Sequence, residues 1–457
     1  GGDMPDTGSD MPDTGGDMPD MGGDMPDVRD ESARDATNQA MDRCEAGDGF
    51  EDMGQDAVFD MANDMDTQGF QDLGGEGTLD MIETMGDSFF EMEGDQMAGA
   101  FSAMDHNDME ALGGDQLFEA AGSMGTADFE AMGGDSAFAM FDTMGSDATG
   151  LGGDQLAGIF GAMESDQLHQ IGEDQLLESA ENMTGDNFMA MDADSAFGMF
   201  DAMGSDTALG LEGDQLAGMF GAMEHDQIGD MHGDVVFDAF QSMGTEGMLG
   251  MDGDSVAGMF DAMGPEHFGE IDGQQMFDMT ENMSADNFMS MESDNAFGMF
   301  DAMGADVVAG LDGDQLGGML GAMEAHHMSD IGGGQLFEMA GNMSGDHFMV
   351  MDSNSAFGMF EAMGSDMALG LGGDQLAGMF GAMDSVQMAS LGSDAMGMAA
   401  EKMDFDDFKM MDGESAFGMI ETMGVDSAMS LGGDQLAGMF AAMEGHHIQD
   451  MGAERSF

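Results

Sequence analysis

The chain has 457 residues and contains 95 Asp and Glu against 6 Lys and Arg, which gives a formal net charge of −89. Between Cys44 and Glu401 there is no Lys or Arg, so we exclude nucleic acid as a partner and disfavour an anionic membrane surface. No apolar run approaches the length of a membrane span, and the charges of this stretch must be balanced by solution cations or by a partner.

Residues 1–34 are predicted to form a disordered tail, because residues 1–28 repeat a short motif with Pro and Gly in every copy. Residues 35–54 are predicted to be a degenerate repeat that caps the N-terminal end of an array. The array itself is predicted over 55–452, and residues 453–457 form a C-terminal tail.

The array has a period of 20 residues. Its repeats, with the degenerate first one, start at 35, 55, 75, 94, 114, 134, 153, 173 and every 20 residues thereafter to 433, which makes about 21 repeats. Two of them, 75–93 and 134–152, have 19 residues. Three kinds follow one another (QLAGMFGAM, QLFEMAGNM and SAFGMFEAM are examples), so a longer period of 60 residues is superimposed. Around 233–272 this order breaks, which indicates a 40-residue insertion or a lost repeat.

Each repeat is predicted to begin with a helix. Leu216, Met219, Phe220 and Met223 are spaced by three and four residues, which places them on one helical face over positions 3–11. Asp at position 2 is predicted to be the N-cap. A β-solenoid is the alternative fold, but the helical spacing favours an all-α solenoid of short helix-turn-helix repeats.

Small residues interrupt these helices and end them. Gly218 and Gly221 each cost the helix about 1 kcal/mol relative to Ala, and we expect them to let a neighbouring helix approach closely. Gly at position 12, as in Gly304, is predicted to end the helix with a positive φ. Asp306, two residues later, is then predicted to cap a second, shorter helix.

Acidic turns between repeats are the candidate metal sites. Their opening, Asp-x-Asp-Ser, resembles the start of an EF-hand calcium loop, although no sixth-position Gly or twelfth-position Glu follows. Helix capping is the competing interpretation. Weak, diffuse binding of Ca²⁺ or Mg²⁺ is predicted at Asp192, Asp194, Asp252, Asp254, Glu292, Asp294, Asp312, Asp314, Asp412 and Glu414.

Methionine and histidine offer other ligand chemistry. Met199 and Met203 exemplify pairs four residues apart that could bind copper(I), but they also belong to the apolar stripe, so we expect them in the core. His326–His327 and His446–His447 recur 120 residues apart, and both pairs are predicted to lie in surface loops.

One family resemblance spans residues 55–452. An acidic residue, an apolar residue, Ala, two further apolar residues and Met, followed by a turn and a short capped helix, form a pattern that resembles the helical super-repeats of the magnesium-transporter regulatory domain and the flagellar rotor switch protein. The resemblance implies a helical array and magnesium sensing. It assigns no role to any individual residue, and the even 20-residue repeat departs from that family.

No nucleophile, base and orienting group stand out from the repeat, so we do not expect an enzyme. The leading hypothesis is a structural or protein-interaction scaffold, extracellular, at a cell surface or from a saline habitat, whose surface is neutralised by cations. Basic proteins or self-association are further possible partners. The alternatives are a protein that buffers Ca²⁺, Mg²⁺ or copper, and a peptide-binding module with a Met and Phe groove.

Overall fold

The computed structural model describes residues 28–46 and 49–448, and the chain divides into two compact units, Gly1–Met104 and Asp105–Phe457. Throughout the described residues, regular structure is helical and no strand occurs. The predicted all-α repeat fold is therefore confirmed. No helix in this part of the chain combines the length and the apolar character needed to cross a membrane.

The N-terminal unit contains α1 (Val28–Ala46), α2 (Gln55–Asp64), α3 (Thr67–Leu73), α4 (Gly75–Met85), a 3₁₀ segment (Gly86–Glu91) and α5 (Gly94–Ser102). The boundary predicted at residue 34 is wrong, because α1 already begins at Val28. Its sequence has neither Pro nor Gly, and it buries Ala33, Ala36 and Ala40. Residues 1–27 and 453–457 of the predicted tails lie outside the described residues.

The C-terminal unit consists of consecutive short helices. The first of them are α6 (His106–Leu112), α7 (Gly114–Ala121), α8 (Thr126–Met132), α9 (Gly134–Met144), a 3₁₀ segment (Gly145–Gly150), α10 (Gly153–Ala162), α11 (Ser165–Leu168), α12 (Glu173–Ala180), α13 (Gly185–Met189), α14 (Ala193–Met203), α15 (Ser205–Ala208), α16 (Gly213–Ala222), α17 (His225–Gly229), α18 (Gly233–Met248) and α19 (Gly253–Met263). The remainder are α20 (Pro265–Phe268), α21 (Gly273–Met279), a 3₁₀ turn (Thr280–Asn282), α22 (Ala285–Ser290), α23 (Ser293–Met303), α24 (Ala305–Val308), α25 (Gly313–Ala322), α26 (Ala325–Ile331), α27 (Gly333–Ala340), α28 (Gly345–Met349), α29 (Ser353–Met363), α30 (Ser365–Ala368), α31 (Gly373–Ala382), α32 (Ser385–Leu391), α33 (Ser393–Lys402), α34 (Phe405–Met410), α35 (Gly413–Met423), α36 (Val425–Ala428) and α37 (Gly433–Ala442).

The helix starts reproduce the predicted repeats, since from residue 55 to residue 433 a helix begins at every predicted repeat start. The two 19-residue repeats differ in their second half, where the 3₁₀ segments Gly86–Glu91 and Gly145–Gly150 replace the second α-helix. A 3₁₀-helix rises about 2.0 Å per residue against about 1.5 Å for an α-helix. The tighter winding therefore covers the same distance with one residue fewer.

Repeats pack mainly against the repeat after next. In the C-terminal unit the second helix of one repeat lies against the first helix two repeats later: α13 contacts α16, α22 contacts α25 and α28 contacts α31. Successive layers of this unit are consequently separated by two 20-residue repeats. Consecutive repeats lie side by side within a layer and contact each other less extensively.

Glycines inside the first helices allow this packing. A Cβ atom on Gly218 of α16 would lie 2.2 Å from the carbonyl oxygen of Gly185 in α13, and one on Gly378 would lie 1.9 Å from that of Gly345. No side chain fits between backbones at these distances. The predicted close approach of neighbouring helices is confirmed, and it offsets the low helix propensity of glycine.

Methionine and phenylalanine fill the core of the array. The position-11 residues Met223, Met303 and Met383 are buried, as are Met219 and Phe220 on the same helical stripe. The Met199 and Met203 pair is buried as well, as core packing predicts. Most of the apolar stripe is thus turned inward rather than towards a partner.

Candidate cation-binding surface

Four of the ten predicted metal residues cap a helix with their side chains: Asp192, Asp252, Asp312 and Asp412. Each carboxylate accepts the backbone N–H of the residue three positions later, at 2.9 Å from Ser195, 2.8 Å from Ser255, 2.9 Å from Gln315 and 2.7 Å from Ser415. Glu292 is also an N-cap residue, but no side-chain capping bond is formed there. In the four capping residues, one carboxylate oxygen is therefore occupied by the backbone N–H at the start of the helix.

The predicted N-cap at position 2 is wrong, because each first helix begins one residue before it. The other five predicted metal residues consequently lie in the first helical turn. Their negative charge interacts favourably with the helix dipole there but does not cap the helix; they are Asp194, Asp254, Asp294, Asp314 and Glu414. The second helices show the same offset. Gly304 is the N-cap of α24, and Asp306 lies inside its first turn.

The position-2 carboxylates face position 15 of the next repeat, 33 residues further along the chain. We call these pairs the acidic ladder: Asp154–Asn187 at 2.7 Å, Asp194–Gln227 at 2.9 Å, Asp254–Asn287, Asp294–His327 at 3.1 Å and Asp314–His347 at 3.4 Å. In the first four pairs a neutral amide or imidazole N–H donates to a carboxylate oxygen, and in the fifth His347 Nε2 faces Asp314. The charge of the carboxylate is therefore solvated but not neutralised.

Position 15 also completes the cap of its own helix. Asn187 Oδ1 accepts the Thr184 backbone N–H at 2.9 Å, and Gln227 Oε1 accepts that of Glu224 at 3.0 Å. One side chain thus accepts from its own helix start and donates to the preceding repeat. This double role requires an acceptor and a donor on one side chain, which Asn, Gln and neutral His provide.

Asp407 is an exception in the acidic ladder. It occupies position 15, where the other pairs, or rungs, of the ladder have a hydrogen-bond donor, and it faces the carboxylate of Asp374. Burial raises the pKa of the Asp407 carboxyl, and the neighbouring carboxylates of Asp404, Asp374 and Asp406 raise it further. The backbone N–H of Asp404, 2.8 Å from the carboxylate, opposes these effects. Two like charges therefore meet where the other rungs have a hydrogen bond.

Two histidines at position 15, His327 and His267, have pKa values that are shifted in opposite directions, and a different group faces Nδ1 in each. At His327, Nδ1 lies 3.3 Å from the Glu324 N–H and must accept, so the ring is neutral; burial, followed by His326, lowers its pKa. At His267, Nδ1 faces the Met263 carbonyl instead. Burial lowers the pKa of His267, but that carbonyl, Asp234 and Glu266 together outweigh it and the pKa is raised.

Other recurring polar side chains form hydrogen bonds between one repeat and the repeat two before it. Gln215 Nε2 donates to the carbonyl oxygens of Ala180 and Met183 at 2.9 and 2.7 Å, and Ser355 Oγ donates to Met323 O at 2.8 Å. These carbonyls lie at helix ends, where no backbone partner remains. The recurring Ser and Gln residues therefore have a structural role in the array.

One group of side chains gathers several metal-ligand types. Within the described residues, Asp294, His326 and His327 offer ligand atoms that all lie within 4.8 Å of one another. The prediction of surface loops is wrong, because both histidines lie in α26. His326 is exposed there, but His327 is buried and stacked on Phe297, with ring centroids 4.7 Å apart. Aligning His327 with position 15 of the other repeats would have predicted its place opposite Asp294.

The second histidine pair repeats much of this arrangement. His447 is buried and stacked on Phe417 with ring centroids 5.2 Å apart, and its ring lies 3.9 Å from that of the exposed His446. Its Nδ1 accepts the Glu444 N–H at 3.2 Å. Glu414 occupies the place of Asp294 in this copy.

Comparison with known proteins finds no family model that matches the chain and no curated protein similar to it in sequence. The resemblance to the magnesium-transporter regulatory domain and the flagellar rotor switch protein stays a prediction from the sequence pattern.

Proposed function

We propose that this protein is a non-enzymatic acidic scaffold whose helical array carries rows of carboxylates that cations neutralise. The observation that carries the proposal is the acidic ladder, in which carboxylates face amide or imidazole donors and no Lys or Arg. With no Lys or Arg between Cys44 and Glu401, this stretch has only its histidines to counter the charge. Counter-charge must then come from solution or from a basic partner protein.

The polar contacts support a structural role over catalysis. Many of the side chains that an active site would recruit are engaged in helix caps and inter-repeat hydrogen bonds, as Asp192, Gln215 and Ser355 are. Burial of residues such as Met219 and Phe220 also disfavours the peptide-binding alternative, since a Met and Phe groove would need these stripes to be exposed. Diffuse Ca²⁺ or Mg²⁺ binding by the rows fits the scaffold proposal as a part of its neutralisation.

Salt dependence of folding tests the proposal. The Debye length is about 30 Å at 0.01 M salt and about 3 Å at 1 M, so repulsion between neighbouring rows is screened only in concentrated salt. We expect circular dichroism in a buffer of about 5 mM to show reduced helicity, and about 1 M NaCl or millimolar Mg²⁺ to restore it.

Sucrose provides the control, because it favours the compact state by exclusion from the protein surface and leaves charges unscreened. A helical spectrum and melting temperature that do not change between low and high salt would contradict the proposal. Recovery in sucrose equal to that in NaCl would contradict it as well, since compaction and not neutralisation would then be limiting.

A further inference from the structure

We propose that Asp294, His326 and His327 form a binding site for a divalent transition-metal ion of the zinc class, which joins two consecutive repeats. The site goes beyond the scaffold proposal, since it selects an ion by nitrogen ligands where the rows attract any cation. Asp294 comes from the first turn of α23, and the two histidines open α26 in the next repeat.

The ligand chemistry favours this class of ion. Two imidazole nitrogens and a carboxylate oxygen suit Zn²⁺, Cu²⁺ or Ni²⁺, whereas Ca²⁺ and Mg²⁺ prefer all-oxygen sites. Three protein ligands leave a fourth position open to water. Glu324, whose Oε2 lies 3.3 Å from His326 Nδ1, adds negative charge beside the site.

The geometry combines one fixed ligand with two adjustable ones. His327 is held by the stacked ring of Phe297, with an interplanar angle of 9°, and its Nε2 lies 3.1 Å from Asp294 Oδ1. Asp294 and His326 are exposed, with 76% and 61% of their side-chain surface accessible. These two exposed side chains can turn towards an ion at Nε2.

Protons balance without release to solvent. In the metal-free site His327 Nδ1 accepts the Glu324 N–H, so the ring proton resides on Nε2 and is donated to Asp294. When the ion takes the Nε2 lone pair, the proton moves to Nδ1 and the 3.3 Å capping contact is given up. The Asp294 carboxylate then changes from hydrogen-bond acceptor to ligand.

The chain itself supplies a substitution set that removes the ligands and keeps the local contacts. In the repeats that begin at 353 and 373, the equivalent positions are Asn354, Val386 and Gln387, and Gln387 Nε2 donates to Asn354 Oδ1 at 3.2 Å. Gln387 also accepts the Asp384 N–H at 3.0 Å, as the capping role requires. The variant Asp294→Asn/His326→Val/His327→Gln therefore reproduces a rung that the fold already contains.

Titration of the metal-free full chain with Zn²⁺ tests the site, in about 1 M NaCl to screen the diffuse carboxylate binding. We expect saturable binding at this site, and a loss of affinity in the triple variant larger than the about 10- to 100-fold that losing an outer-shell partner costs. Co²⁺ should show intensified visible bands of tetrahedral coordination with the wild-type chain and not with the variant.

The matched control is His446→Val/His447→Gln, which removes the second pair and should leave binding at Asp294, His326 and His327 unchanged. Circular dichroism checks that both variants remain helical. Weak, non-saturating Zn²⁺ uptake by the wild-type chain, or saturable uptake that survives in the triple variant, would overturn the proposal. Either result is independent of the salt experiment, which monitors helicity without Zn²⁺.

Discussion

At the scale of single residues, position 15 decides whether consecutive repeats attract or repel each other. Asn187 and Asn287 hold the preceding Asp by a hydrogen bond while capping their own helix. Asp407, at the same position of the same kind of repeat, can cap, but its ionised carboxylate has no proton to donate. The rung it forms with Asp374 is therefore the weak point of the ladder.

Asp407→Asn should stabilise the array at pH 7 by about 1 kcal/mol, because it removes the repulsion between the two carboxylates and restores the hydrogen bond. Since folding raises the pKa of Asp407, the carboxylate destabilises the fold where it is ionised, and stability recovers as pH falls through the raised pKa. The advantage of the variant should accordingly shrink in mild acid. Urea unfolding midpoints at several pH values measure both effects.

Asp406→Asn is the control. Asp406 is an exposed neighbour, and its substitution removes the same charge without restoring the hydrogen bond to Asp374. An equal gain from both substitutions would mean that net charge, and not the contact with Asp374, sets the stability of this rung.

Gly304 ends α23 with a φ of 78°, and open space surrounds the position where its Cβ would be. Gly304→Val should cost about 1–2 kcal/mol through backbone strain alone, because β-branched residues resist positive φ. The same substitution at Gly334, which is equally open but has an ordinary φ, should be tolerated. Thermal melts of the two variants that coincide would contradict the requirement for glycine at helix ends.

At the scale of helices, the two internal glycines of α16 have different tasks, which the sequence alone did not distinguish. A Cβ on Gly218 collides with the backbone of α13, whereas a Cβ on Gly221 meets only side-chain atoms of Met251 and Met189, 3.6 Å away or more. The chain also carries Ala441 at the position equivalent to Gly221. Contact between helices therefore requires glycine at the position of Gly218, whereas alanine fits at the position of Gly221.

Gly221→Ala should therefore stabilise the array by up to about 1 kcal/mol through helix propensity. Gly218→Ala should destabilise it by about 1–3 kcal/mol, because α13 has to move away. Unfolding midpoints of the two single variants, which add the same methyl group to the same helix, decide the matter. A gain in stability from both would show that α13 and α16 do not approach closely in solution.

Helix boundaries illustrate how far sequence patterns reach. The spacing of apolar residues and glycines predicted where most helices lie. Burial selects apolar residues at fixed positions of a helix, and a positive φ at the helix end selects glycine. The N-cap was misplaced by two residues, since Asp192 and Asp194 are equally good caps and only the packing of the first turn selects between them. The first turns of α1 were not predicted to be helical, because they adjoin a stretch of sequence rich in Pro and Gly.

At the scale of the whole molecule, the period was readable but the layering was not. Sequence repetition shows that each repeat has an equivalent neighbour, yet it does not show whether that neighbour is one repeat away or two. The choice depends on helix lengths and on contacts such as that of Gly185 with Gly218, which are tertiary. The ladder partners, 33 residues apart, escaped prediction for the same reason.

Three kinds of repeat on layers of two repeats explain the recurrence of the histidine pairs. A given kind returns to the same side of the array only after six repeats, which is the 120-residue separation of His327 and His447. Both sites consequently have the same neighbours, including a stacked phenylalanine. The copies diverge mainly in the carboxylate, Asp294 against Glu414.

The two-repeat layer also governs how such a gene can grow or shrink by recombination. Gain or loss of one repeat would move every later repeat to the opposite side of the array, whereas gain or loss of a pair leaves every later repeat on its own side. The broken order around 233–272 is compatible with such an event, since 40 inserted residues equal one layer, and α16 to α19 still pack in sequence there. Copy number is therefore expected to change in even steps, and variants of this array should differ in length by multiples of two repeats.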